Sequence, residues 1–180
     1  MKTHELVPHP AFPPAEVSGV SARLVSHDAN WLCLRWRIEQ AGRVVYPAFD
    51  GKKRADNLWQ TTCFELFVKP ESTSAYLEFN LSPSERWAAY AFDGPRSGMR
   101  DHPMERAPGC TMRPGTSFAL FDAAIPTQAL PAKDCFLGIT CVIEEAGGTK
   151  SYWALAHTND KPDFHDPACF TLALAAPTAR

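Results

Sequence analysis

The fold is decided by the stretch Thr62–Phe92, which reads TCFELFVKPESTSAYLEFNLSPSERWAAYAF. Apolar residues alternate with other residues in three short runs of this stretch, Thr62–Lys69, Ala75–Ser82 and Arg86–Phe92. Such alternation is typical of β-strands, and the connection over residues 70–74 is short enough for a hairpin. The stretch therefore predicts three consecutive antiparallel strands.

The alternation also divides the side chains of these strands between two faces of a sheet. An apolar face is expected to enter the core: Phe64, Leu66, Val68, Leu77, Phe79, Leu81, Trp87, Ala89 and Ala91. The opposite face collects carboxylates, an amide, a guanidinium and aromatic rings: Cys63, Glu65, Phe67, Tyr76, Glu78, Asn80, Ser82, Arg86, Ala88 and Tyr90. Antiparallel pairing places Glu65 opposite Glu78 or Asn80, and Ala88 leaves room beside Asn80.

Two like charges that face each other destabilise a sheet, so this pair needs a neutralising neighbour, a ligand or solvent. Arg86, Arg35 or Arg37 is the expected neighbour. Carboxylates and amides bond vicinal hydroxyls, and aromatic rings pack on the C–H face of a pyranose. The face therefore suits a sugar site, and the alternative is an ordinary solvated outer face that needs no ligand.

The rest of the chain continues the pattern of short strands between turn residues. Further strands are expected at Val17–Ser26, Trp31–Ile38, Thr116–Ile125, Asp134–Ile143, Ser151–His157 and Ala168–Leu174. About one helical turn is expected between Pro126 and Lys133, and a long loop over Asp93–Pro114. Nine or more strands predict an all-β antiparallel β-sandwich, of jelly-roll or immunoglobulin-like form. The expected organisation is an extended arm over residues 1–16, the sandwich over 17–175 and a tail over 176–180.

Composition excludes several classes of function. The 180 residues are 45% apolar and carry a formal net charge of −2. There is no basic stripe for nucleic acid and no apolar run long enough to cross a membrane. The six cysteines form no CxxC pair, and the proline-rich start does not resemble a secretory signal. Free core cysteines and a cytoplasmic location are therefore expected.

Three stretches resemble the bacterial DOMON-like family. They are DNLWQTTCFELFV (Asp56–Val68), YLEFNLSPSERWAAYAF (Tyr76–Phe92) and WALAHTNDKPDFHDPACFTLAL (Trp153–Leu174). That family is similar to carbohydrate-binding module family 9 and to the DOMON sugar- and haem-binding domains. The resemblance covers Val17 to Leu174 and implies a DOMON-like β-sandwich that binds a small ligand.

The resemblance also implies which residues hold a sugar. Trp59 matches the first of two tryptophans of the module family, Glu65 matches its glutamate, and Asn80 matches a strand asparagine. Glu78 departs from the family, which has an arginine there, and Arg86 is expected to supply that charge. The second tryptophan has no match in the loop between the last two expected strands, the late loop, which contains TNDKPDFH. Its role is expected to fall to Trp153, His157, Asn159 or Phe164, with His157 and Asn159 favoured. The expected ligand-binding residues are Trp59, Glu65, Glu78, Asn80, Arg86, Tyr90, His157 and Asn159.

The predicted function is a non-enzymatic module that binds a small ligand, most naturally a carbohydrate, with neither nucleic acid nor membrane as partner. One alternative is a protein-interaction domain, and another is a glycosidase that uses Glu65 and Glu78. A third is a haem b module with Met or His axial ligands, for which the candidates are Met99, Met104, Met112, His102, His157 and His165. The acidic segment Asp160–Asp166 is interpreted as a solvated turn, so no metal site is expected.

Overall fold

A computed structural model describes residues 2–176 of the chain. It contains twelve β-strands within that range. In chain order these are β1 (Thr3–Pro8), β2 (Gly19–His27), β3 (Trp31–Glu39), β4 (Cys63–Pro70), β5 (Tyr76–Leu81), β6 (Trp87–Phe92), β7 (Arg100–Asp101), β8 (Gly109–Arg113), β9 (Phe118–Pro126), β10 (Cys135–Glu145), β11 (Thr149–Ala154) and β12 (Leu172–Leu174). Short 3-10 turns lie at Ala41–Arg43, Leu58–Gln60, Thr127–Ala129 and Pro167–Cys169. The expected all-β class is confirmed.

Every strand pairing is antiparallel, and β1 connects the two halves of the sheet. The strand order is β7-β6-β5-β4-β10-β11-β1-β2-β3-β9-β8, with β12 also paired to β10. Residues 3–6 of β1 pair with β2, whereas Val7 and Pro8 pair with β11. The segment expected to be an extended arm therefore contributes a strand to both halves.

Aromatic contacts show how the sheet is folded around its core. Phe64 on β4 stacks on Phe121 of β9, with ring centroids 4.0 Å apart, and Trp36 on β3 lies 5.5 Å from Phe64. Strands β4 and β9 are far apart in the strand order, so the sheet must curl until its halves face each other. All three rings are fully buried, and burial of such a side chain contributes about 1.5–3 kcal/mol.

Of the two pairings expected between β4 and β5, the structure has the one with Asn80, and the expected neighbour of Asn80 on β6 is confirmed. Glu65 pairs with Asn80, and Phe67 pairs with Glu78. Ala88 pairs with Asn80 from the other side. The expected inward residues, such as Phe64, belong to the main core, so the polar residues of these strands lie on the opposite face.

Two predicted boundaries are wrong. The expected loop over Asp93–Pro114 contains β7 and β8, because Cys110 and Met112 alternate toward the core from an edge strand beside β9. The strand expected over Ala168–Leu174 begins only at Leu172, since a 3-10 turn occupies Pro167–Cys169. The single helical turn expected after Pro126 is confirmed at Thr127–Ala129.

The remaining sequence-level expectations concern cysteines, membranes and the chain ends. All six cysteines are free, and all except Cys33 are buried. No helix within residues 2–176 is long and apolar enough to span a membrane. Of the expected tail, Ala176 donates its N–H to Asp134 Oδ1 at 2.8 Å, and residues 177–180 lie outside the described residues.

Candidate ligand-binding site

The outer face of β4, β5 and β6 forms the floor of a large cavity. Its volume is about 930 Å³, which lies within the range of small-molecule sites. Five of the expected ligand-binding residues line it: Trp59, Glu65, Glu78, Asn80 and Tyr90. The other lining residues are Phe12, Asp56, Asn57, Phe92, Arg96, Met99, Arg100, Asp101, Val142, Tyr152, Lys161, Pro162, Phe164 and His165.

Three buried polar side chains form the floor. Glu65 is 3% exposed, Glu78 6% and Asn80 2%. Glu65 lies directly across from Asn80, and Glu78 lies two residues before Asn80 on the same strand. The Asn80 amide donates to Glu78 Oε1 at 2.8 Å, while its own Oδ1 has no hydrogen-bond partner among residues 2–176. The floor thus presents acceptors to the cavity.

An aromatic cluster supports this floor. Tyr76 stacks on Phe92 at 4.8 Å, and Phe67 stacks on Phe170 at 5.4 Å. Phe170 reaches the sheet over Gly138, where a β-carbon would lie 2.5 Å from its ring. The apolar side chains that alternation placed on the outer face are therefore buried under the late loop rather than solvated.

Burial raises the pKa values of both floor carboxyl groups. The pKa of Glu65 lies well above its usual range because of desolvation and the negative charge of Glu78. Desolvation raises the pKa of Glu78 to about 7, against the opposing effects of the Asn80 hydrogen bond and the Arg96 charge. The protein therefore supplies too little positive charge and too few hydrogen bonds to stabilise both acids in their ionised forms.

Arg96, and not Arg86, is the arginine whose charge acts on Glu65 and Glu78. Its charge lowers the pKa values of Glu65 and Glu78, although its Nη2 is bonded to Asp163 Oδ1 at 2.8 Å. The expectation for Arg86 is corrected: its Nη2 bonds Asp50 Oδ2 at 2.5 Å, and it is not among the cavity-lining residues.

The two other expected arginines also lie elsewhere. Arg35 forms a two-pronged pair with Asp122, and Arg37 pairs with Glu39, both on the β2–β3–β9 half of the sheet. Their charges are therefore satisfied away from the cavity floor.

His165 lies beside Glu78 as a neutral ring. The Tyr76 hydroxyl accepts from the Arg96 backbone N–H at 3.2 Å and hydrogen-bonds His165 Nδ1 at 2.8 Å. His165 Nε2 is 3.7 Å from Glu78 Oε2, which is too long for a hydrogen bond. Burial and the Arg96 charge lower the pKa of His165 to about 4, so this contact is not an ion pair near neutral pH.

Aromatic side chains form the rim. Trp59 lies on the turn Leu58–Gln60 and is 49% exposed, so its ring is available to a ligand. The Tyr90 hydroxyl donates to Asp56 Oδ1 at 2.5 Å, which orients that ring at the cavity wall. Phe12 reaches the rim from the N-terminal segment and contacts Tyr152 edge-on at 5.2 Å.

His157 and Asn159 are not brought to the cavity. His157 Nε2 donates to the Val7 carbonyl at 2.9 Å, and the Asn159 side chain donates to Asp166 at 3.1 Å. The Asn159 carbonyl accepts from His9 Nε2 at 2.9 Å. These contacts tie the late loop to the N-terminal segment, and the loop's cavity-lining residues are instead Lys161, Pro162, Phe164 and His165.

Sequence reasoning missed Phe12, Arg96 and Tyr152 as lining residues. Tyr152 lies opposite Val142 on β10, which also lines the cavity, so alternation along β11 was an available signal. Phe12 and Arg96 lie in proline- and glycine-containing segments without a period, and no local pattern marks them.

Most of the candidate axial ligands of a haem lie away from the cavity. Nε2 of His102 is bonded to the Ala129 carbonyl, and Nε2 of His157 to the Val7 carbonyl. His165 shares a hydrogen bond with Tyr76 at Nδ1, and its Nε2 faces Glu78 in the cavity. Of the candidate axial ligands, His165 and Met99 line the cavity and the other four do not. Among residues 2–176 there is also no group of three or more metal-ligating side chains.

Comparisons with known proteins identify a shared fold. No family model matches the chain, and no curated protein matches it. One solved structure with a similar fold is a candidate carbohydrate-binding protein from Bacteroides uniformis ATCC 8492, at 19% identity and a TM-score of 0.66 over 97% of this chain and 86% of that one. Another is a carbohydrate-binding module of family 9 from Caldicellulosiruptor kristjanssonii in complex with cellotriose, at 10% identity and a TM-score of 0.59 over 98% of this chain and 84% of that one.

Identities this low show likeness of fold alone. Membership of the DOMON-like family stays a prediction, because it rests on the residues quoted from the sequence. The fold-level likeness nevertheless covers nearly the whole described chain, including the strands that form the cavity floor.

Proposed function

We propose that this chain is a non-enzymatic β-sandwich module of the DOMON-like kind and that it binds a carbohydrate in the cavity above β4, β5 and β6. One observation carries the proposal: a half-exposed indole and a set of buried polar acceptors line the same cavity of about 930 Å³. Sugar recognition uses this combination, since rings pack on C–H faces while carboxylates and amides bond hydroxyls.

In the proposed complex, Trp59 stacks on the sugar ring at the rim, and Tyr90 forms part of the wall. Glu65, Glu78 and Asn80 accept hydrogen bonds from the ligand at the floor. The similar structures are described as carbohydrate-binding, which supports the choice of ligand class.

A binding function is favoured over glycoside hydrolysis. A retaining glycosidase needs one ionised carboxylate and one protonated acid about 5–5.5 Å apart. Here Glu65 pairs with Asn80 and Glu78 with Phe67, so the two acids are diagonal neighbours, and desolvation raises both of their pKa values. Side chains at diagonal positions lie farther apart than directly facing ones, which does not favour the spacing of a retaining pair.

Isothermal titration calorimetry against a panel of mono- and disaccharides tests the proposal. We expect at least one sugar to bind the native chain, and Glu65→Ala to weaken that binding about ten- to a hundredfold because a buried hydrogen bond to the ligand is lost. Trp59→Ala should weaken it as well, whereas Phe49→Ala is the control. Phe49 is 72% exposed and does not line the cavity. Absence of heat with every sugar, in a folded protein, would contradict the proposal.

A further inference from the structure

The chemistry of the cavity floor narrows the class of carbohydrate. We propose that the ligand carries a protonated amine, as a 2-amino-2-deoxyhexose does, and that Glu65, Glu78 and Asn80 hold this ammonium group. The inference rests on the proposed function, because it names the ligand class of the same cavity.

The cavity floor is rich in hydrogen-bond acceptors. Glu65 and Glu78 are both almost fully buried in the floor, and they are diagonal neighbours across β4 and β5. Asn80 is 2% exposed, lines the cavity and has an Oδ1 without a hydrogen-bond partner among the described residues. A buried acceptor without a partner is destabilising, so a ligand that donates to it binds favourably.

Several hydrogen-bond donors near the floor are bonded within the protein. The Asn80 amide donates to Glu78, and the Tyr90 hydroxyl donates to Asp56. Arg96 donates to Asp163 through its side chain and to Tyr76 through its backbone. Most donors around the floor are therefore engaged within the protein. Two neutral groups remain beside the acids, the buried Thr140 hydroxyl across from Glu65 and the His165 ring 3.7 Å from Glu78, and they are too few for the acceptors of both acids and Asn80. A complementary ligand group must be rich in donors.

The two floor acids lack an adjacent cation in the described part of the chain. Within residues 2–176, no lysine or arginine nitrogen lies within 4.0 Å of the Glu65 or Glu78 carboxylate, and the only such contact is with the neutral His165 ring at 3.7 Å. Two buried carboxylates without a cation repel each other and lose hydration. An ammonium group offsets both effects, whereas a hydroxyl offsets neither.

An ammonium group matches the floor in the number and kind of its hydrogen bonds. An ammonium group has three N–H donors and no acceptor, which matches a floor that offers two carboxylates and one amide oxygen. The indole of Trp59 is exposed on the rim, where it is available to the ring that bears the amine. An N-acetylated sugar lacks the charge, and a neutral hexose replaces three donors by one hydroxyl donor.

Calorimetry at pH 7 on the full chain tests this inference with three matched sets of sugars. Each set contains glucosamine, galactosamine or mannosamine together with its N-acetyl and its neutral 2-hydroxy counterpart. We expect the preferred amine to bind roughly tenfold or more tightly than both counterparts, as is typical of a charge-assisted contact. Glu78→Gln should reduce this preference to within about threefold, whereas Glu71→Gln removes the same charge at an exposed site and should leave it unchanged.

The outcomes separate the two proposals. If neutral or N-acetylated sugars bind as well as the amines, the amine inference is overturned and carbohydrate binding stands. If no sugar of these sets binds but another sugar of the mono- and disaccharide panel does, the amine inference is overturned and carbohydrate binding stands. If no sugar of the whole panel binds the folded native chain, both fall. An amine preference that persists in both Glu78→Gln and Glu65→Gln also overturns the inference, because the ammonium group would then be held elsewhere.

Discussion

Two buried carboxylate sites in this protein have opposite surroundings. At the end of β10, Glu145 is fully buried and accepts from three backbone N–H groups, those of Ala15, Glu16 and Val17, at 2.7–3.0 Å. At the cavity floor, Glu65 and Glu78 are nearly as buried but lie next to each other, with one amide donating to Glu78. Burial alone therefore does not mark a binding site. What distinguishes the floor is incomplete compensation of its charge and hydrogen-bonding capacity.

The largest expected effect is a loss of stability at Glu145, the buried carboxylate whose hydrogen bonds are supplied by the protein. Glu145→Ala leaves three backbone donors of the N-terminal segment without their acceptor and should lower the free energy of unfolding by about 3–5 kcal/mol. Urea denaturation measures this change. The control is Glu144→Ala at the preceding, partly exposed position of the same strand, where a change below about 1 kcal/mol is expected. Equal losses in both variants would remove the contrast between the two sites.

The next effect, of opposite sign, concerns the floor. The folded pKa of Glu78 is about 7, above the ordinary value of 4.5, so the folded state binds the proton more tightly than the unfolded state does. The associated stability is fully present below pH 4.5 and is lost as the pH rises through 7. Glu78→Gln has no such titration. The free energy of unfolding of the variant, minus that of the native chain, should therefore be about 2–3 kcal/mol larger at pH 8 than at pH 4.5.

Unfolding titrations at several pH values, in the absence of ligand, measure this difference. The lowered pKa of His165 acts in the opposite direction between pH 6.5 and about 4, but it is common to both proteins and cancels when they are subtracted. A pH-independent difference would show that Glu78 is as well compensated as Glu145.

A smaller effect is expected from the arginine that partly compensates the floor. Arg96→Gln removes a positive charge that lowers the pKa values of Glu65 and Glu78, so the stability loss assigned to Glu78 should move to higher pH. The Arg96 side chain is 61% exposed, and the change in stability at neutral pH should stay below about 1 kcal/mol. Arg43→Gln is the control, because Arg43 forms an exposed pair with Glu16 far from the floor and should leave the pH profile in place.

The smallest effect on stability is expected at the rim. Trp59 is half exposed on a short turn, so Trp59→Ala should change the free energy of unfolding by less than about 0.5 kcal/mol. Thermal unfolding without ligand checks this expectation. A large loss would mean that the indole supports the fold, and its proposed role as a stacking surface would then lose its basis.

The sequence by itself determined the all-β class and the two faces of β4, β5 and β6. Alternation is a local property of an extended chain, so the apolar residues of Thr62–Phe92 require one face to be buried whatever the rest of the molecule does. That reasoning placed Glu65 opposite Glu78 or Asn80, with all three on one face, and the observed register pairs Glu65 with Asn80.

Only the tertiary structure decided what surrounds that face. Arg96 and not Arg86 faces the acids, His165 and not His157 lines the cavity, and Phe12 closes the rim from the far end of the chain. These residues lie in turns and loops, whose positions depend on contacts between distant segments and follow no repeat in the sequence. Strand parity can therefore predict a floor, whereas walls and rim emerge only once the chain has folded.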